Sequence, residues 1–210
     1  MRIGILFNGI SYGIGRDFRH CFNSINSNLI IPFQKNNDVK VFLTTYKHQF
    51  EEEQVKLYAP HLYSFLDTNT SHQVLTYIKS FEQIKNEPLD FIISTRHDIH
   101  FHKDMSNIGI DFEKMNALFK ERGWWDNMKF TTDNFFAFPH SMLSSAIDVL
   151  YSLYENPSRV GQTDLHQFFH RMQNKVGISK TNIISNIDEL SNYNSFYSLC
   201  NDKWGKCKQG

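Results

Sequence analysis

Asp90-Phe91-Ile92-Ile93-Ser94-Thr95-Arg96-His97-Asp98-Ile99-His100-Phe101-His102-Lys103-Asp104 is the stretch on which the fold turns. Its first part, Asp90–Thr95, is a short apolar run with Pro88 just ahead of it. Such a run is too short for a helix and does not alternate, so it reads as a strand buried on both faces. It leads straight into one Arg, three His and two Asp. In α/β proteins, ligands bind beyond the carboxyl ends of the strands, which is where this cluster falls. If the backbone stays extended, Asp98, His100 and His102 point the same way. A carboxylate with imidazoles on one face is a candidate divalent-metal site.

Outward from this stretch the same grammar repeats. Arg2–Phe7 reads as a first buried strand, Asp38–Thr45 as a second and Leu62–Leu66 as a short third. Helices are expected over Arg16 to about Ser27, over Ser71–Lys85 with Ser71 or Thr70 as cap, over Ser141–Tyr154, and over Thr163–Lys175 with Thr163 as cap. The stripes Val74, Leu75, Ile78, Phe81, Ile84 and Leu143, Ile147, Leu150, Tyr154 should face inward. Lys129–Phe138 holds a further strand or pair of strands, and Ile183–Ser185 a late one. Strands alternating with helices imply βαβ units and a mostly parallel sheet flanked by helices, an α/β fold. The loops after Phe7, Thr45 and Thr95 should therefore carry function.

Length and charge bound the possibilities. The chain has 210 residues, with 22 Lys+Arg against 22 Asp+Glu. This suits a single domain, read here as two halves, 1–103 and 104–210. Zero net charge argues against a nucleic-acid partner. No apolar run is long enough to span a membrane, and the N-terminus reads as a strand, so a cytoplasmic location is expected. Three cysteines, Cys21, Cys200 and Cys207, do not make a disulfide framework, and reduced thiols are the default. Phe 19, Tyr 9 and Trp 3 are plentiful. Most should fill the core, while some can line a pocket for a sugar or a base.

Three more segments carry chemistry. Gly9-x-x-x-Gly13-x-Gly15 follows the first strand, where glycines let backbone N–H groups approach a phosphate. Arg16 can add a charged fork there. The spacing matches the nucleotide loop of short-chain dehydrogenases, so an NAD(P)-binding oxidoreductase is one alternative. No tyrosine has lysine four residues on, however, and Thr44, Thr45 and Tyr46 stand where an acidic ribose ligand would. His100-x-His102-x-Asp104 offers a second alternative, a metal-dependent hydrolase. Trp124-Trp125-Asp126 and Thr132-Asp133-Asn134-Phe135-Phe136-Ala137-Phe138-Pro139 combine stacking rings with a carboxylate and an amide for sugar hydroxyls. Gly161-Gln162-Thr163-Asp164-Leu165-His166 places a carboxylate where a helix should begin, which the helix dipole alone would favour. A sugar- or protein-binding module remains a third class.

The segment Asp90, Arg96, Asp98, Ile99, Phe101 resembles the "DxD" metal-binding region of GT-A-fold glycosyltransferases, with His100 where the second acid usually stands. The run Asp133–Pro139 is similar to the segment that shapes the sugar pocket in that family, and Asp164 to an acid that is often its catalytic base. Size and composition look like the small N-terminal transferase domain of chlorovirus capsid-glycosylation proteins. The resemblance implies a single GT-A-like domain that moves a sugar, such as L-rhamnose, from a UDP-sugar donor to a glycan or glycoprotein acceptor. Asp98 and His100 would hold Mn²⁺ or Mg²⁺. Asn8, Gly9, Arg16, Thr44, Thr45, Tyr46 and Arg96 would hold the donor. Asp133 or Asp164 would act on the acceptor hydroxyl, and Trp124, Trp125 and Asn134 would line the sugar pocket. It also implies host cytoplasm if the protein is viral, and further domains of a longer polypeptide.

Overall fold

The computed structural model describes residues 1–13, 15–67, 72–119, 131, 133–156, 164–185 and 196–199. Its centre is a seven-stranded sheet. The strands are β1 (Arg2–Asn8), β4 (Asp38–Tyr46), β5 (Leu62–Leu66), β6 (Phe91–Arg96), β8 (Met115–Phe119), β9 (Phe135–Pro139) and β10 (Thr181–Ser185). Short pieces lie between them: β2 (Tyr12–Gly13) with β3 (Arg16–Asp17), and β7 (Ile99–Phe101) with β11 (Tyr197–Leu199). The order across the sheet is β10-β8-β9-β6-β1-β4-β5. Within this sheet only β9 runs against its neighbours and the other pairings are parallel, while the short β2–β3 and β7–β11 pairs are antiparallel. Strands from both halves of the chain thus share one sheet.

The sheet is the middle of three layers. Strand alternation divides the apolar side chains between two cores. Ile3, Ile5, Phe7, Val41, Leu43, Phe91 and Ile93 face α1 (Phe18–Ile25), a π-helical turn (Asn26–Ile30), α2 (Ile31–Gln34) and α3 (Glu51–Tyr58). Leu6, Phe42, Ile92, Phe136 and Phe138 face α4 (Gln73–Gln83), α5 (Leu143–Glu155) and α6 (Phe168–Val176). Ile3, Ile5, Leu6 and Phe7 are all fully buried in β1, each worth about 1.5–3 kcal/mol of transfer free energy. The alternation continues to the strand ends: Asn8, Thr44, Ser94 and Arg96 fall on the α4 side, and Thr45 and Thr95 on the α1 side.

Several expected elements shift. The first helix begins at Phe18 rather than Arg16, because Asp17 caps it by accepting from the Arg19 N–H at 3.0 Å. Arg16 instead sits in the β2–β3 hairpin. The inward face of α5 is Leu143, Ala146, Val149, Leu150 and Leu153, and Tyr154 is 42 % exposed. On α4, Tyr77 rather than Leu75 is fully buried. In place of the helix expected over Thr163–Lys175, a 3-10 turn (Asp164–Gln167) leads into α6 (Phe168–Val176). Thr70, Ser71, Thr163, Trp124, Trp125, Asp126, Cys200 and Cys207 lie outside the described residues. Cys21 is buried with a free thiol that burial pushes well above its ordinary value. Among the described residues, no helix is long and apolar enough to cross a membrane.

Candidate functional site

The carboxyl ends of β1, β4 and β6 meet at one edge of the sheet, with Asn8 in register between Thr44 and Arg96. Because β9 is antiparallel, its leading residues Asp133 and Asn134 arrive at the same edge. The loops expected to be functional therefore converge, and the antiparallel strand adds an acidic wall.

Past Arg96 the extended run breaks. His97 and Asp98 form a turn between β6 and β7, so Asp98 does not continue a strand face with His100 and His102. It folds back onto Arg96 instead. Arg96 Nε donates to Asp98 Oδ1 at 2.9 Å and a terminal nitrogen donates to Oδ2 at 2.7 Å, a bidentate fork. Arg16 Nε donates to the same Oδ2 at 2.8 Å. The remaining terminal nitrogen of Arg96 reaches Asp133 Oδ2 at 3.3 Å and Asn134 Oδ1 at 3.1 Å. Arg96 thereby ties two carboxylates together in a site where Asp98 is 2 % and Asp133 4 % exposed.

Burial works against the charged form of each carboxyl, yet both are held below the ordinary range. For Asp98 the opposing influence is Arg96 and then Arg16; for Asp133 it is Arg96, then His166, then the hydrogen bond from Gln73. Burial likewise disfavours charged Arg96, but Asp98 and Asp133 raise it above its ordinary value.

Asp133 and Asn134 are held from several directions. Gln73 Nε2, at the start of α4, donates to Asp133 Oδ2 at 2.7 Å, and Tyr77 Oη donates to the Asp133 carbonyl at 3.0 Å. His166 Nε2 lies 4.0 Å from Asp133 Oδ2, while its Nδ1 is 3.2 Å from the Thr131 carbonyl. Asn134 Nδ2 donates to Tyr197 Oη at 2.6 Å, which turns its amide oxygen toward Arg96. Gln73, Tyr77 and Tyr197 carry no signal in the sequence, since each reaches the site only through the fold, and His166 is visible only as the end of the Gly161–His166 segment.

The residues expected to cradle a nucleotide occupy the edge with their side chains largely engaged. Asn8 Nδ2 donates to Ser94 Oγ at 2.8 Å, and its oxygen is buried without a partner. Thr44 donates to Gln83, and Tyr46 Oη to the His72 carbonyl. Thr45 Oγ1 donates to Ser11 Oγ at 2.8 Å. Gly9 has φ +91°, with open space where a Cβ would stand. Its backbone is thus free to be approached closely.

Behind this edge a chain of buried polar groups fixes the loop after β1. Ser11 Oγ donates to Gln54 Oε1 at 3.0 Å and lies 3.2 Å from His48 Nε2. The Phe50 N–H points at His48 Nδ1 (3.1 Å), which leaves the ring proton on Nε2, 2.8 Å from Gln54 Oε1. The basic nitrogen of His48 is therefore occupied, and the Ser11–His48 pair is structural, not nucleophilic. Gln54 Nε2 in turn meets His97 Nδ1 at 3.2 Å.

Burial drives His97 down to about 3. The unfolded chain takes up this proton near pH 6.5, while the folded chain refuses it until far lower pH. Stability should thus fall as pH drops below about 6.5, with a slope approaching 1.4 kcal/mol per pH unit from this group. Denaturant midpoints measured from pH 7 to 4.5 should show the decline, and His97→Gln should flatten it. An unchanged slope in the variant would remove His97 as the cause.

The donor set does not fit a divalent cation. Both Asp98 oxygens accept from guanidinium groups. His100 lies on β7 beside His102, ring centroids 5.2 Å apart, with a buried Nδ1 that meets no partner among the described residues. Asp104 caps a 3-10 turn by accepting from Ser106 and Asn107. Among the described residues, no three of His, Cys, Asp and Glu gather where they could hold a metal. Asp164 opens the turn that carries His166, but its side chain is outside the described set.

No protein-family model and no curated protein sequence matches the chain. Its fold is similar to that of the apo form of the glycosyltransferase GlyE from Streptococcus pneumoniae TIGR4, with TM-score 0.52 and 10 % identity over 86 % of this chain and 44 % of that one. Another GlyE structure gives TM-score 0.48 and 13 % identity over 91 % and 46 %. The chain thus spans less than half the length of these structures, and what it shares with the first is the fold.

Proposed function

We propose that the chain is a glycosyltransferase that moves a sugar from a UDP-sugar to a glycan acceptor. The observation that carries this reading is the cluster Arg16–Asp98–Arg96–Asp133–Asn134 at the carboxyl edge of a parallel sheet, in a fold shared with a glycosyltransferase. The nucleotide lies along the ends of β1 and β4, beside Asn8, Gly9 and Thr44–Tyr46. Arginine charge stabilises the negative charge that grows on the departing diphosphate. Asp133 and Asn134 face the sugar side. Arg96, His166 and Gln73 hold the Asp133 carboxyl below the ordinary range, which favours a part in orienting a sugar hydroxyl over one as proton acceptor. A deoxyhexose such as L-rhamnose and a viral capsid glycan are the donor sugar and acceptor that the sequence resemblance favours.

The reading is tested by thermal denaturation with UDP, GDP and NAD, followed by UDP release from a panel of UDP-sugars. A ligand bound only by the native state adds about 2.7 kcal/mol at 100 times its dissociation constant. A shift with UDP and turnover of one UDP-sugar are expected. A shift with NAD alone would replace the transferase by an oxidoreductase.

A further inference from the structure

We infer that Asp98 positions a diphosphate-binding arginine instead of ligating a metal, and that the donor's diphosphate binds the outer face of Arg16 without a divalent cation. The inference rests on the glycosyl-transfer reading above and deepens it. The two arginines are committed differently. Arg96 directs Nε and both terminal nitrogens inward, to Asp98, Asp133 and Asn134, and its side chain is 13 % exposed. Among the described residues, the Arg16 side chain makes one hydrogen bond, Nε to Asp98 Oδ2, and is 23 % exposed. Its terminal nitrogens meet no partner among the described residues. A guanidinium bound through Nε keeps its four terminal N–H groups for another partner, and that fork matches phosphate oxygens.

The surroundings favour an anion at that face. Arg16 opens the second strand of the β2–β3 hairpin, which follows β1, and Gly13 (φ +88°) and Gly15 (φ +73°) take positive φ in its turn. A cation at Asp98 would have to displace two guanidinium groups and then sit beside them. A diphosphate on Arg16 displaces nothing: Asp98 remains bound to Arg96 and continues to hold Arg16 in place. Asp98 is thus a positioning residue, and the charge developing on the leaving diphosphate falls to Arg16.

The test is calorimetric titration of the whole chain, in EDTA and again in MnCl₂, with UDP, inorganic pyrophosphate and uridine. UDP and pyrophosphate should bind in EDTA, with little change on adding Mn²⁺. Arg16→Gln should weaken both by at least about tenfold and leave uridine unchanged, and Arg16→Lys should restore only part, because a point charge lacks the fork. Asp98→Asn should weaken UDP in EDTA in the same direction. That variant removes a buried counter-ion, so Arg16→Gln decides the matter if it does not fold. Binding of UDP only with Mn²⁺, abolished by Asp98→Asn, would overturn the inference and leave the transferase standing. Pyrophosphate binding lost in Arg16→Gln, with no UDP binding under any condition, would leave the anion site standing and overturn the transferase. No binding of either ligand in either buffer would overturn both.

Discussion

Arg96→Ala should destabilise the protein by about 3–5 kcal/mol, because it leaves buried carboxylates without their shared counter-ion. For a chain of this size, that is a fall in melting temperature of roughly 6–20 °C. The size follows from the environment. Asp98 and Asp133 are almost wholly buried, and Arg96 is the group that both of them face. After its removal Asp98 keeps Arg16, while Asp133 is left with Gln73 and a histidine 4.0 Å away. Two further measurements separate lost charge pairing from lost packing. Combining Arg96→Met with Asp98→Asn and Asp133→Asn should recover most of the stability, since no buried charge then lacks a partner. The pH dependence should also converge. In the native chain both carboxyls are depressed, so their contribution is present above the unfolded value near 4 and is lost as pH falls through their folded values. In Arg96→Ala the main influence opposing burial is gone, so burial raises the Asp133 carboxyl above its ordinary value; the folded variant then takes up a proton before the unfolded chain does, and the gap to wild type should narrow as pH falls from 7 to 4. A variant within about 1 kcal/mol of wild type at pH 7 would mean that water or a rearranged Arg16 compensates both acids.

The parts of this molecule legible in the sequence are those where one physical rule dominates. β1, β4 and β6 are buried on both faces, so they are nearly continuous apolar runs and their bounds are read to within a residue or so. β8 escapes because Asn116 interrupts it; that amide is buried only because it donates to the carbonyls of Asp111, Lys114 and Ala137. α3 escapes because its buried residues are Gln54 and Tyr58 in an otherwise charged segment. The site divides in the same way. Arg96 and Asp98 stand out because polar residues directly after a buried strand must meet at the sheet edge, and Asp133 and Asn134 because they precede an aromatic strand. The partners that define what those residues do come from far along the chain. Arg16 lies 82 positions from Asp98, Gln73 lies 60 from Asp133, and Tyr197 lies 63 from Asn134. No local periodicity encodes such pairs. The metal expectation arose from this gap: in an extended strand Asp98 and His100 share a face, whereas the turn at His97–Asp98 gives Asp98 to two arginines.

Asp133→Asn should lower kcat/KM for the productive UDP-sugar by roughly 10²-fold while leaving UDP affinity within about twofold. Asp133 touches Arg96 through a terminal nitrogen at 3.3 Å, a weaker contact than the bidentate fork to Asp98, so Arg96 stays anchored when the charge is lost. Under the proposed function, what disappears is an ionised acceptor for a sugar hydroxyl, and a hydrogen bond to a charged group is worth about 1.5–3 kcal/mol. Asparagine keeps the volume and one carbonyl oxygen, so Gln73 can still donate, and the Asp133 carbonyl still accepts from Tyr77. A residue that orients the reacting sugar acts in the transition state, so the loss should appear in kcat more than in KM. This separates it from Arg16→Gln, whose loss should appear as weaker UDP and pyrophosphate binding. Equal losses of UDP affinity and of kcat/KM in Asp133→Asn would place Asp133 in the donor-binding framework instead. Unchanged turnover would move the acceptor side of the site to other residues, with His166, beside Asp133 on the far wall, the first to substitute.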